Sequence, residues 1–243
     1  GYHSLWVWPI LLIAIFFIVN FIITNRQATH PIVHFHTLFS KKPFVGATMA
    51  ISSHLTLLTG IAGINVYIVR ILKLPFDISL HFYFFFFVGV IITGILKMFF
   101  YSSVGAGFLG TLGSSALLYV SIHWIILGNT INIPLLYIQG LLLGFGASMT
   151  LVSGSMATLL DGDLKEAAQR SQTMHTIRNF SAAMLIPIIA YTIKNHIQKG
   201  TQSIYAENIT DKMIYLKKLQ DVAIDADHQI FLLMIIFNMV MFV

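Results

Sequence analysis

His54 and Asn65 lie eleven residues apart in one apolar run, and Gln139 and Thr150 stand in the same relation in another. Eleven residues is close to three helical turns, so in an α-helix each pair returns to one face, about 16 Å apart along the axis. A neutral imidazole, amide or hydroxyl in apolar surroundings either bonds to a neighbouring helix or lines a cavity that accepts a polar solute or a proton. The spacing leaves both readings open. A second cluster, Gln172, His175, Arg178 and Asn179, falls within two turns. Arg178 either snorkels to the membrane surface or contacts a helix carbonyl or an anion and closes a gate, with His175 beside it.

Other chemistries lack their residues. The chain has no cysteine, which removes disulfides, thiol nucleophiles, iron–sulfur clusters and Cys-based zinc sites. His30, His34 and His36 follow no compact zinc spacing, and no carboxylate accompanies them, so no metal is expected. No G-x-x-x-x-G-K-[ST] loop occurs for a nucleotide phosphate, and no cofactor is expected. Asn208-Ile209-Thr210 matches the glycosylation acceptor pattern, which is too short to be specific. The carboxylates read as loop residues, apart from Asp77 at a span edge. No acid pair or Ser/His/Asp set is therefore expected at membrane depth, and intramembrane catalysis is not expected. The formal charge of +5 comes from Lys and Arg scattered between apolar runs, not from the stripe that nucleic acid requires.

These residues are set in a chain of 243 residues that is 57% hydrophobic and only 9% charged, which puts it outside soluble globular composition. A helix needs about 20 mostly apolar residues to cross a hydrocarbon core of about 30 Å. Seven runs fit or nearly fit, at about Leu5–Thr24, Phe44–Tyr67, Leu80–Phe100, Gly105–Leu127, Ile133–Leu159, Thr173–Lys194 and Gln229–Val243. Helix is the only option for such runs, because transmembrane strands are half as long and alternate polar with apolar residues. The first run lacks a basic leader and a cleavage site and reads as a true span. The last is short, and both ends of the chain read as cut. The expected fold is an all-α integral membrane bundle of six or seven helices.

Small residues mark where helices approach closely. In the fifth run Gly140, Gly144, Ala147, Leu151 and Ser155 form one stripe, and Gln139, Leu143, Gly146, Thr150 and Ser153 the next, so one face suits packing and the other packing or a cavity. Gly105, Gly107, Gly110 and Gly113 permit close crossing or bending, and Pro187 predicts a kink in the sixth run. Loops are expected at Asn25–Pro43, Arg70–Ser79, Tyr101–Val104, Gly128–Asn132, Leu160–Gln172 and, longest, 195–228. Within the last, the mixed-charge stretch Asp211–Asp225 predicts a short surface helix. Arg26, Lys41, Lys42, Lys97, Lys165, Arg170 and Arg178 fall to one side, which the positive-inside rule makes cytoplasmic. The 195–228 loop is then extracytoplasmic.

The segment Asn25–Phe39, with its Pro31, alternating apolar residues and Leu38-Phe39, leads into Lys41-Lys42-Pro43-Phe44-Val45-Gly46. It resembles the connection between spans eight and nine of the fourteen-span drug:proton antiporter branch of the major facilitator superfamily. Ala167-Ala168-Gln169-Arg170-Ser171-Gln172 followed by Arg178-Asn179-Phe180-Ser181-Ala182-Ala183 is similar to that branch's entry into span thirteen. The resemblance covers nearly the whole chain and implies half of a major facilitator fold. Residues 1–43 would be an inter-half helix with a basic cytoplasmic loop, and 44–243 the carboxy-terminal six-helix bundle with a truncated last helix. It also implies proton-coupled efflux of a small amphipathic or drug-like compound across a bacterial inner membrane, in partnership with an amino-terminal half outside this chain. On that reading His54, Asn65, Gln139 and Thr150 are substrate-binding candidates, and His175 and Arg178 gating residues. The alternative is a non-transporting membrane scaffold or assembly subunit whose polar residues only join helices.

Overall fold

A computed structural model of the chain describes residues 7–28, 38, 40–160, 164–206 and 211–242. Among the described residues there are six α-helices and no strand. They are α1 (Val7–Gln27), α2 (Lys41–Asn65), α3 (Phe76–Ile125), α4 (Ile133–Leu160), α5 (Ala167–Ala206) and α6 (Lys212–Val240). Five of them, α2 to α6, are long and apolar enough to cross a membrane. In α1, Leu12, Phe16 and Phe17 are each more than 60% exposed, as suits a helix solvated by acyl chains. His30, His34, His36 and the Asn208–Thr210 pattern lie outside the described residues.

α3 is two antiparallel limbs. At Gly105 the backbone turns to φ 77°, ψ 170°, a conformation that glycine adopts without a Cβ penalty. Limb 76–104 runs parallel to α4: Gly140 lies beside Phe82, Gly144 beside Phe86, and Lys97 beside Met149. Limb 106–125 runs antiparallel to α4: Gly113 lies beside Gly146, and Trp124 beside Gln139. The expected spans Leu80–Phe100 and Gly105–Leu127 are these limbs, but the expected Tyr101–Val104 loop is helical up to the turn.

α4 is the centre of the bundle, and its glycines explain why. A Cβ on Gly144 would sit 2.0 Å from the Phe86 carbonyl oxygen, and one on Gly154 would sit 2.6 Å from that of Gly46 on α2. The two small-residue stripes thus serve different neighbours. Gly140 and Gly144 admit the first limb of α3, whereas Gly146 and Gln139 meet the second. The core gathers Trp124, Phe82, Phe231, Tyr67 and Leu143 between α2, α3, α4 and α6.

The structure replaces several expected loops with helix. α2 runs on through a π-helical turn, Val66–Ile71, and ends in a cap where Leu74 N–H donates to Ile68 O at 3.0 Å across Lys73 at φ 51°. The Arg70–Ser79 loop shrinks accordingly. From Leu164 the Leu160–Gln172 loop is already helical, anchored by Arg170, which is 1% exposed and donates to Thr158 O and Leu159 O at 2.9 Å each. Those carbonyls lie in the last described turn of α4, so Arg170 ties one helix to the next. α5 continues through Pro187.

The expected 195–228 loop is the largest correction. α5 has 40 residues and α6 has 29, about 60 Å and 44 Å of helix, so both are longer than a 30 Å core requires. Val222 packs on Gly200. Asp211 caps α6 by accepting from Met213 N–H at 2.7 Å, which starts a continuous helix where a short surface helix was expected. The last helix accordingly begins at Lys212, well before Gln229.

Candidate functional site

Polar side chains inside the bundle fall into two layers. Helix direction sets this: α2 and α4 are antiparallel, so going from residue 54 to 65 along α2 runs the same way as going from 150 to 139 along α4. His54 and Thr150 therefore share one level, nearer Lys41, and Asn65 and Gln139 share another about 16 Å away.

In the first layer Ser53 Oγ and Thr150 Oγ1 are 2.6 Å apart, joining α2 to α4, and Thr150 also donates to Gly146 O at 2.8 Å. The Arg178 charge acts on both His54 and His175. His54 on α2 and His175 on α5 thus both lie within electrostatic range of Arg178, while Thr150 is bonded to Ser53. Arg178 Nε is buried without a hydrogen-bond partner, and so are Ser114 Oγ and Thr56 Oγ1. Across α4, Lys97 Nζ donates to Met149 O at 2.7 Å.

In the second layer Asn65 Nδ2 donates to the Tyr83 hydroxyl at 2.6 Å, and Trp124 Nε1 donates to Gln139 Oε1 at 2.9 Å. Phe82 links the pairs, with ring centroids 5.4 Å from Tyr83 and 6.3 Å from Trp124. Gln139 is 1% exposed, and its Nε2 has no hydrogen-bond partner. Buried polar groups are normally satisfied, so an amide with an idle donor marks a place where a ligand group could be received.

Asp227, at the same end of the bundle, overturns the reading of the carboxylates as loop residues, since it lies inside α6. It is 1% exposed, and neither carboxylate oxygen has a hydrogen-bond partner among the described residues. Tyr67, close enough for the two groups to interact electrostatically, donates its hydroxyl to Gly128 O. Next to Asp227 in sequence, the His228 ring is engaged, with Nε2 2.8 Å from Leu127 O. The available donors are thus turned to backbone carbonyls. An unpaired buried carboxylate is strongly destabilising unless it carries a proton or meets a cation.

Sequence reading missed Asp227 because the last span was started at Gln229. The signal was present: Ile224, Asp227, Phe231, Met234 and Asn238 recur at helical spacing and are all buried in α6. It also missed Lys97, Tyr83 and Trp124, whose partners sit on other helices. Among the described residues no three His, Asp or Glu side chains gather as metal ligands. Neither a protein-family model nor a curated protein matches this chain.

Proposed function

We propose that this chain is the carboxy-terminal half of a secondary active transporter, exchanging a small amphipathic or drug-like compound for protons across a bacterial cytoplasmic membrane. The observation that carries the reading is Asp227, a carboxyl buried in an apolar bundle with both oxygens unpartnered. A carboxyl there can hold a proton, or it can be ionised beside a cationic ligand. Passing between those states is the elementary event of proton-for-solute exchange.

In this reading Asp227 exchanges the proton, and the idle Gln139 amide and the Asn65–Tyr83 pair offer polar contacts to the solute. Arg178 forms a cationic closure toward the Lys41 end with the His54 and His175 rings in its field, and Thr150 ties α2 to α4 behind it. Two polar levels separated by apolar packing suit a site that is closed alternately from each side as two halves rock.

The test uses everted membrane vesicles holding the full transporter that contains this chain, a fluorescent lipophilic amine and an imposed pH gradient. Asp227→Asn is expected to reach the membrane in wild-type amount and to lose at least nine-tenths of gradient-driven movement, with Asp227→Glu retaining part of it. Wild-type movement by Asp227→Asn removes Asp227 from the coupling step. If changes at Asp227, Gln139 and Arg178 alter only the yield of folded protein, the scaffold reading replaces transport.

A further inference from the structure

A wedge of about 380 Å³ opens at the Lys41 end, where the start of α2, the segment just after the Gly105 turn and the last turns of α4 meet. Its mouth carries Lys41 and Lys42 at the first turn of α2, where the N-cap residue Ser40 makes no side-chain capping bond. Its walls are apolar, including Met49, Gly107 and Ala157, and among the described residues no carboxylate lines it. Ser153 also lines it, with a side chain fully buried and a hydroxyl that has no hydrogen-bond partner. A helical serine ordinarily donates to the carbonyl one turn back. Here that carbonyl, Met149 O, receives Lys97 Nζ at 2.7 Å.

We propose that this wedge binds one anionic diacyl phospholipid, its phosphate on Lys41 and Lys42, an ester carbonyl accepting from Ser153 Oγ, and the start of an acyl chain along Met49 and Ala157. Three features select that ligand. Two cations beside the positive end of a helix macrodipole favour an anion. The idle hydroxyl, lying inside the mouth, calls for an acceptor deeper than the phosphate. Aliphatic walls suit a ligand whose remainder is hydrocarbon, which inorganic phosphate lacks. Basic pockets between transmembrane helices are recognised sites for acidic headgroups. The site depends on membrane insertion alone, so it stands or falls separately from the transport reading.

The experiment is native mass spectrometry of the purified chain in detergent, titrated separately with phosphatidylglycerol, phosphatidylcholine and inorganic phosphate. One phosphatidylglycerol per chain is expected, retained at least tenfold better than phosphatidylcholine and not displaced by phosphate. Lys41→Gln with Lys42→Gln should lower that preference at least fivefold. Gly107→Leu fills the wedge without a clash at its Cβ, since nothing lies within 4 Å, and should abolish retention. Gly94→Leu, equally open but outside the wedge, should leave retention unchanged. Ser153→Ala, which removes the hydroxyl with least disturbance, should weaken retention of both lipids and so provides a second readout if Gly107→Leu fails to fold. Equal retention of the two lipids, displacement by phosphate, or full retention in both Gly107→Leu and Ser153→Ala overturns the proposal.

Discussion

Trp124 and Gln139 meet in a fully buried side-chain hydrogen bond, 2.9 Å from indole Nε1 to Oε1, where the second limb of α3 crosses α4. The bond satisfies the indole and half of the amide. Trp124→Phe should lower unfolding free energy in detergent by about 1–3 kcal/mol, because it leaves the amide wholly unsatisfied. Gln139→Leu should cost a similar amount by stranding the indole N–H. The double variant should lose less than the sum of the two, since no orphaned group remains, and a double-mutant cycle on thermal or denaturant unfolding measures this directly.

Glycines that look alike in sequence should respond differently. Gly144→Ala would place a methyl 2.0 Å from Phe86 O, with backbone and not a flexible side chain in the way, so limb and helix must separate. A loss of about 1–3 kcal/mol, or failure to accumulate, is expected. Gly94→Ala meets nothing within 4 Å and should be neutral or slightly stabilising, as alanine is the better helix former. Thermal melts of the two variants side by side are the check.

Arg170→Met should weaken the junction between α4 and α5. It removes two 2.9 Å hydrogen bonds from a cation to the carbonyls of Thr158 and Leu159, for which about 1.5–3 kcal/mol each is typical before any relaxation. Arg170→Lys keeps the charge but not the fork, so it should recover only part of the loss. Glu166, 3.8 Å from Nη1 and more exposed, should contribute little, and Glu166→Gln should leave the melting temperature nearly unchanged. Protease protection at the α4–α5 connection would report the same order of effects.

Asp227→Asn should separate stability from function. Replacing an unpartnered carboxylate by a neutral amide of the same shape removes the cost of an uncompensated charge, so the melting temperature in detergent should equal or exceed that of wild type. Proton-coupled movement should nevertheless be lost. A marked drop in melting temperature would identify Asp227 as a structural group.

Helix content and the number of legs were readable from the chain because unbroken apolar runs of about 20 residues have one stable arrangement in lipid. The reversal near Gly105 was equally legible, since a glycine-rich stretch separates two such runs. Loop lengths were not. Polar residues in 195–228 resemble a connection by composition, yet Val222 against Gly200 lets two helices continue as a pair. The π turn after Asn65 extends α2 for a related reason, as Tyr67, Ile68 and Ile71 are held in the core.

The candidate site divides in the same way. Sequence by itself determined that the chain forms apolar helices, that His54 with Asn65 and Gln139 with Thr150 lie three turns apart, and that Arg178 sits close to His175, because these follow from a helical period within one segment. Tertiary structure alone decided that Thr150 bonds Ser53, that Gln139 faces Trp124, and that Asp227 is enclosed without a donor. Those outcomes depend on which helices are neighbours and at what relative height. The intrahelical period carries no information about either.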